Sequence, residues 1–231
     1  MNILYLHGMG GGNTSRVPNR LRQELSKMQF TKNGEPIEFN VICETYDFDP
    51  EVATGQIAQW VETYQPGLVI SESMGAIYAL GIHGMPHIYI SPALNFDHAA
   101  TVARPISAIC NALGIDIAPK PRGPKRQKML SDPAILARFK PVVQANKAPY
   151  LDRSIVPDPS FAFFGKNDVY MPWGIVSIKE YERLCGNSYR VHDGGHIFGV
   201  KYIKPWLIPK IIEMLGLEVI KPPRSRRKKQ A

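Results

Sequence analysis

Three polar residues, Ser73, Asp168 and His196, each follow a short apolar segment, and their types could together perform nucleophilic catalysis. A serine hydroxyl is a weak nucleophile at neutral pH and needs a neighbouring imidazole to accept its proton. The imidazole in turn needs a carboxylate that fixes its tautomer and stabilises its cation. If the fold brings them together, these residues predict acyl transfer through a serine nucleophile.

The strongest local motif surrounds Ser73, in the segment Ser71–Gly75 that reads S-E-S-M-G. It matches the strand-to-helix turn G-x-S-x-G except that Ser71 replaces the first glycine. The turn needs small residues two positions before and after the nucleophile, and serine is nearly as small as glycine. The substitution adds a hydroxyl that needs a partner. The alternative interpretation is that Ser73 only caps the helix that follows.

The loop His7–Gly12, which reads H-G-M-G-G-G, follows the first apolar segment. Acyl transfer needs backbone N–H groups directed at the oxyanion that develops on the carbonyl oxygen. We expect one from Met74, directly after the nucleophile, and a second from this loop, most simply from Met9. A phosphate-binding loop is the alternative, but the pattern lacks the last glycine of G-x-G-x-x-G and no P-loop motif is present.

Apolar segments alternate with helical patterns along the chain, which predicts an α/β fold with a mostly parallel sheet flanked by helices. The carboxyl ends of parallel strands meet at one edge, where functional sites gather. Ser73, Asp168 and His196 each follow a predicted strand, so we expect all three at that edge. The predicted strands are 3–6, 39–43, 68–71, 87–91, 161–164 and 188–192, and the predicted helices include 51–64, 74–82 and 206–215.

One long segment interrupts this alternation, so we predict a single domain over 1–220 with a helical insertion at about 97–158. It contains helical patterns at 97–113 and 131–146. A lid over one edge of the sheet is the favoured interpretation. An ordinary pair of crossover helices joined by an exposed loop is the alternative.

Basic residues concentrate in two segments, although the formal net charge of the whole 231-residue chain is +8. Residues 119–128 carry five Lys or Arg and residues 221–231 carry six, and neither segment contains an acid. The remaining chain has more acidic than basic residues, which argues against a broad nucleic-acid-binding face. The segment 119–128 is interpreted as an exposed loop, or as a feature that attracts an anionic substrate such as an acyl-CoA. We expect 221–231 to be a disordered tail, with salt-sensitive binding to RNA or anionic lipid the less favoured alternative.

Composition limits the remaining function classes. Three cysteines are too few and scattered for a disulfide framework or a cysteine-rich zinc site, and a metal pair at His83 and His87 is disfavoured by the intervening Gly84 and Pro86. No apolar run approaches the length that spans a bilayer, and the first residues lack signal-peptide features. We therefore expect a cytoplasmic protein that needs no metal or organic cofactor. The sequence does not specify an oligomeric state.

The sequence resembles the α/β-hydrolase superfamily, and more narrowly its small esterase-like bacterial members of the YqiA/YcfP kind. The resemblance rests on the segments Leu4–Gly8, Ser71–Gly75, Gly165–Asp168 and Gly194–His196. It covers nearly the whole chain, except for 97–158 and the basic tail.

The resemblance implies a serine hydrolase that cleaves a small ester or thioester, with Ser73 as nucleophile, Asp168 as acid and His196 as base. It also implies an oxyanion hole formed by the amides of Met9 and Met74. Because the superfamily contains members without hydrolase activity, two alternatives stay open. One is a non-catalytic scaffold that binds a ligand or partner, and the other is an acyltransferase that uses the same triad.

Overall fold

The protein is described from a computed structural model that covers residues 1–121, 123–168 and 174–220. A six-stranded, wholly parallel sheet with the order β4-β1-β5-β6-β7-β8 forms its centre. A smaller antiparallel sheet has the order β3-β2-β9. The strands of the described residues are β1 (Asn2–Leu6), β2 (Gln29–Lys32), β3 (Glu35–Ile37), β4 (Asn40–Ile42), β5 (Leu68–Glu72), β6 (His87–Ile90), β7 (Ser160–Gly165), β8 (Tyr189–His192) and β9 (Glu218–Ile220).

Helices cover both faces of the parallel sheet, as the sequence predicts. Strand β1 illustrates the arrangement, since Ile3 and Tyr5 join one buried cluster and Leu4 and Leu6 join the other. Strands buried on both faces read as continuous apolar runs, which is why they were recognisable in the sequence. The helices of the described residues are α1 (Arg16–Leu25), α2 (Pro50–Tyr64), α3 (Gly75–Ala79), α4 (Phe96–Ala112), α5 (Pro133–Leu151), α6 (Ile178–Cys185) and α7 (Ile208–Leu215).

The segment 97–158 contributes to the protein core. Helices α4 and α5 pack on each other, and α5 also contacts α2, α3 and α6. Phe139 and Val143 of α5 are fully buried in the cluster that covers one face of the sheet. Between the two helices the chain returns to the glycine loop, where Arg126 forms an antiparallel bridge with Gly12.

Helix α3 is shorter than the predicted helix 74–82, and a contact from α5 accounts for its early end. The side-chain amide of Asn146 donates to the Ile77 carbonyl at 2.9 Å. In a continuing α-helix that carbonyl would accept the Gly81 amide. The Gly81 amide donates to the Tyr78 carbonyl at 2.9 Å instead, so the chain tightens into a turn.

The small antiparallel sheet and α6 were not predicted. Strands β2 and β3 are joined by Asn33 and Gly34, both with positive φ (53° and 83°), the conformation that a two-residue hairpin requires. The dipeptide Asn-Gly is the strongest short hairpin signal, and it could have predicted this hairpin from the sequence. Within the described ranges, no helix is both long enough and apolar enough to cross a bilayer. The predicted tail 221–231 lies outside the described residues.

Candidate active site

Ser73 occupies a tight turn between β5 and α3 with a left-handed backbone conformation (φ 51°). Such a conformation costs a non-glycine residue about 1–3 kcal/mol, and it is held here by hydrogen bonds. The Ser73 amide donates to the Ile90 carbonyl at 2.9 Å, and the Ser73 carbonyl accepts the amides of Ala76 and Ala93. The turn therefore fixes the direction in which the hydroxyl points.

Small residues around Ser73 are required by contacts with β1 and the loop after it. A Cβ on Gly75 would lie 2.5 Å from the Leu6 carbonyl oxygen, and a Cβ on Gly8 would lie 3.0 Å from the Cβ of Ser73. The serine at position 71 is accommodated, but its buried hydroxyl has no hydrogen-bond partner among the described residues.

The structure brings Ser73, His196 and Asp168 together. His196 Nε2 lies 2.7 Å from Ser73 Oγ, and His196 Nδ1 lies 2.9 and 3.0 Å from the two carboxylate oxygens of Asp168. An ionised carboxylate only accepts, so Nδ1–H donates to Asp168 and Nε2 is left to accept the serine proton. The Ser73 hydroxyl thus contacts the imidazole, and the N-cap position of α3 belongs to Met74.

Close contact between two loops places His196 and Asp168. The Lys166 amide donates to the His192 carbonyl at 2.8 Å, and the Asn167 amide donates to the Gly194 carbonyl at 3.1 Å. Asp168 is 4% exposed, whereas 45% of the His196 side chain is exposed. The carboxylate is therefore shielded from water while the imidazole remains accessible to a ligand.

The hydrogen bond to Asp168 raises the pKa of His196 above its ordinary value of 6.5, and the negative charges of Asp168 and Glu72 add to this effect. Burial opposes it. The imidazolium form is consequently stabilised by the groups around it, which is the form that a general base becomes after accepting a proton.

In the glycine loop, the amides of residues 10–12 are hydrogen-bonded to protein groups, whereas that of Met9 is not. The Gly10, Gly11 and Gly12 amides donate to Gln127 Oε1, the Gly8 carbonyl and Ser15 Oγ, respectively. Within the described ranges, the amides of Met9 and Met74 donate no hydrogen bond to other protein groups. They are the two amides that sequence analysis selected for the oxyanion.

Sequence analysis missed Gln127, which is hydrogen-bonded to the glycine loop through both its side chain and its backbone. Its side chain is 1% exposed, accepts the Gly10 amide at 3.0 Å and donates to the carbonyls of Tyr46 and Asp47. Its own amide donates to the Gly11 carbonyl at 2.7 Å. A glutamine inside a basic, proline-rich segment carries no sequence signal for such a role.

His7 and Glu72 flank the site but take no part in the hydrogen bonds that link Ser73, His196 and Asp168. Burial lowers the pKa of His7 to about 4, and its neutral ring stacks on Tyr46 with centroids 4.0 Å apart. Its Nδ1–H donates to the Gly8 carbonyl at 2.8 Å, which supports the loop. Glu72 is half-buried and accepts the Tyr5 hydroxyl at 2.8 Å, and burial raises the pKa of its carboxyl.

A cavity of about 650 Å³ opens beside Ser73 and His196. The glycine loop, the start of α1, residues 119–121 and residues 196–200 form its walls. This volume is within the range of small-molecule sites in proteins. Across the part of the chain that the structure describes, no group of three or more His, Cys, Asp or Glu side chains could hold a metal ion.

Comparison with known proteins identifies the fold. No family model and no curated protein sequence matches the chain. A monoacylglycerol lipase of Paleococcus ferrophilus is similar in structure, with a TM-score of 0.60, 13% identity and 93% of each chain covered. A soluble variant of the Saccharomyces cerevisiae monoglyceride lipase has a TM-score of 0.59 and 14% identity, covering 93% of this chain and 87% of that one.

Est1E of Butyrivibrio proteoclasticus, solved with ferulic acid bound, has a TM-score of 0.55 and 12% identity, covering 93% of this chain and 89% of that one. The narrower resemblance to the YqiA/YcfP type stays a prediction. With its parallel sheet, its strand-to-helix turn at Ser73 and these structural relatives, the chain has the α/β-hydrolase fold.

Proposed function

We propose that this protein is a serine hydrolase that cleaves a carboxylic ester or thioester through an acyl-enzyme intermediate. The observation that carries the proposal is the 2.7 Å separation of Ser73 Oγ from His196 Nε2, with His196 Nδ1 bonded to Asp168. The solved structures of similar fold support the reaction class, because they include lipases and esterases.

In the first half-reaction, His196 Nε2 accepts the hydroxyl proton while Ser73 Oγ forms a bond to the acyl carbon. The carbonyl electron pair moves to oxygen, which becomes the oxyanion of a tetrahedral intermediate. When the intermediate collapses, the bond to the alcohol or thiol breaks and the leaving group takes the proton from His196. Ser73 then carries the acyl group as an ester.

In the second half-reaction, water takes the place of the leaving group. His196 accepts a proton from water as its oxygen attacks the acyl carbon, and it then returns this proton to Ser73 Oγ. The carboxylic acid is released. Asp168 stabilises the imidazolium that forms twice in each cycle.

The amides of Met9 and Met74 are the proposed donors to the oxyanion. Both are without another partner in the described residues, so neither must break a hydrogen bond before it binds the developing charge. Removing one such donor in other serine hydrolases costs about 100- to 1000-fold in rate. The fixed position of the glycine loop is therefore part of the proposed machinery.

An activity screen over esters and thioesters of increasing acyl length tests this function. We expect Ser73→Ala to lower kcat by about four to six orders of magnitude. Ser91→Ala is the matched control, since Ser91 also follows a buried strand with a positive φ (43°) but lies outside the site. Equal activity in wild type and Ser73→Ala would refute the proposal.

The same screen distinguishes the two alternatives. A non-catalytic scaffold hydrolyses none of the substrates and binds one without turnover. An acyltransferase also releases the leaving group. When a competing alcohol or amine is present, it transfers the acyl group to that acceptor, so the acylated alcohol or amine forms in place of the free acid.

A further inference from the structure

The cavity beside Ser73 carries an excess of positive charge. Three basic side chains line it, namely Arg16 at the start of α1 and Lys120 and Arg126 from the segment 119–128. Glu72 is the only acidic residue among the described residues that line it. Burial raises the pKa of Glu72 and the hydrogen bond from Tyr5 opposes this, so one acidic group stands against three basic ones.

The three basic side chains make no ion pair with any described acidic residue. Arg126 makes one hydrogen bond there, a long one of 3.4 Å to the Thr14 carbonyl. Some cations elsewhere in the fold are paired; Lys147, for example, lies 2.7 Å from Glu180. The cavity thus holds positive charge that the described part of the protein does not neutralise.

Arg126 is held in place by its backbone. It pairs with Gly12 of the glycine loop, and the neighbouring Gln127 is anchored by four hydrogen bonds. Arg126 is also half-buried, so its guanidinium is confined near the cavity. Confinement lowers the entropy lost when a side chain binds a ligand.

The start of α1 adds to this potential. Ser15, Arg16 and Val17 line the cavity, and the first turn contains no acidic residue. A helix N-terminus carries partial positive charge on its free amides. This partial charge adds to the charge of the three basic side chains, and it would not form an anion-binding site without them.

We infer that the substrate of this site carries an anionic group, a carboxylate or a phosphate, which Arg16, Lys120 and Arg126 bind while Ser73 attacks the ester or thioester carbonyl. This inference rests on the proposed function and specifies its substrate class. The anion belongs either to the acyl part or to the leaving group, and these two sources are separable by experiment.

Two matched substrate pairs test the inference. Mono-4-nitrophenyl glutarate and 4-nitrophenyl valerate have equal acyl length and differ in one carboxylate on the acyl side. Valeryl-CoA and S-valeryl-N-acetylcysteamine share the acyl group and thioester, and only the leaving group of valeryl-CoA carries phosphates, together with the pantoate and adenosine parts. The salt dependence and the arginine variants separate the effect of the phosphates from that of these neutral parts. The measured quantity is the ratio of kcat/KM, anionic over neutral, after subtraction of the uncatalysed rate.

We expect this ratio to be about tenfold or more at low salt for at least one pair, the size of one charge-assisted hydrogen bond. It should shrink in 1 M NaCl, where the screening length falls from about 10 Å at 0.1 M to about 3 Å. Arg16→Gln and Arg126→Gln should each lower the ratio at least about threefold. Arg104→Gln is the matched control, an exposed arginine of α4 outside the cavity, and should leave the ratio unchanged.

A ratio near one for both pairs, with Ser73-dependent hydrolysis of the neutral members, would overturn the inference and leave the proposed function standing. If no substrate is hydrolysed, calorimetric binding to Ser73→Ala decides. If Ser73→Ala binds the anionic member of a pair more tightly than the neutral one, and Ser73→Ala/Arg16→Gln does not, the anion site is supported although the proposed function fails. If Ser73→Ala binds both members equally, the anion site is refuted as well. Arg16 is exposed, so its replacement leaves the fold intact.

Discussion

At the scale of single residues, the proposed chemistry depends on how Asp168 and Glu72 influence His196. Asp168 holds the Nδ1 proton and stabilises the imidazolium, which leaves Nε2 directed at Ser73. Glu72 adds a second negative charge, and its carboxylate accepts a hydrogen bond from the Tyr5 hydroxyl. The direction of the His196 pKa shift is the measurable consequence of this environment.

Activity should therefore depend on pH through His196. Because the hydrogen bond to Asp168 raises the pKa of His196, kcat/KM should rise with pH through an apparent pKa above 6.5 and be lost below it, where the imidazole is protonated. Asp168→Asn should move this apparent pKa to lower pH and lower kcat by about 10⁴-fold. A pH–rate profile of both proteins measures the shift, and an unchanged apparent pKa would contradict the assigned contact.

The types and approximate places of Ser73, Asp168 and His196 could be predicted because each follows a strand of the parallel sheet, and parallel strands end at one edge. The supporting residues could not. The contacts of Gln127 with the glycine loop and of Tyr5 with Glu72 join positions more than 60 residues apart, with no local motif at either end. Such contacts depend on the tertiary structure, which the local pattern does not encode.

At the scale of elements, two contacts between loops determine the site geometry. The glycine loop is bound to the segment around Gln127, and the loop after β7 is bonded to the loop after β8. These contacts explain why the loops need glycine and why the segment 119–128 is more than an exposed connection. Gln127→Leu tests the first of these contacts, and Gly75→Ala tests the packing of the turn at Ser73 against β1.

Replacing Gln127 should impair the oxyanion loop. Gln127→Leu removes the acceptor of the Gly10 amide and two donors to backbone carbonyls, so the position of the Met9 amide should become less defined. We expect kcat to fall about 10- to 100-fold, part of the effect of losing a whole oxyanion donor, with KM changing less. Steady-state kinetics measures this split. Lys128→Gln, an exposed neighbour, is the control, and an equal loss in both variants would contradict the role.

Replacing Gly75 should destabilise the turn at Ser73. The Cβ of Gly75→Ala would lie 2.5 Å from the Leu6 carbonyl oxygen, so we expect the free energy of unfolding to fall by about 1–3 kcal/mol. Gly55→Ala is the matched control, because Gly55 lies in α2 with nothing near its Cβ position and should gain up to about 1 kcal/mol. Urea denaturation measures both changes, and equal signs would contradict the packing described here.

Prediction of the elements succeeded where burial produces a clear pattern. Strand β5 and helix α2 lie within one residue of their predicted limits. Helix α3 was predicted too long, because Asn146 of a distant helix determines where it ends. The pairing of β2 with β9 joins chain segments almost 190 residues apart. Much of both strands is exposed, so the alternation of apolar and polar residues that predicts a strand is weak in them.

At the scale of the whole molecule, the sheet order brings together side chains that the chain separates by 123 positions, from Ser73 to His196. The same arrangement places the basic segment 119–128 against the cavity, although the chain outside this segment and 221–231 is slightly acidic. The low identity to structures of the same fold is consistent with this view, since the fold depends on the pattern of buried positions more than on particular residues.

Covalent labelling with a fluorophosphonate, followed by intact-mass and peptide mass spectrometry, tests the central claim most directly. The account predicts one adduct per chain, on the peptide that contains Ser73, formed by the wild type and by Ser91→Ala but absent from Ser73→Ala. An adduct that persists in Ser73→Ala, or no adduct on the folded wild-type protein, would contradict it.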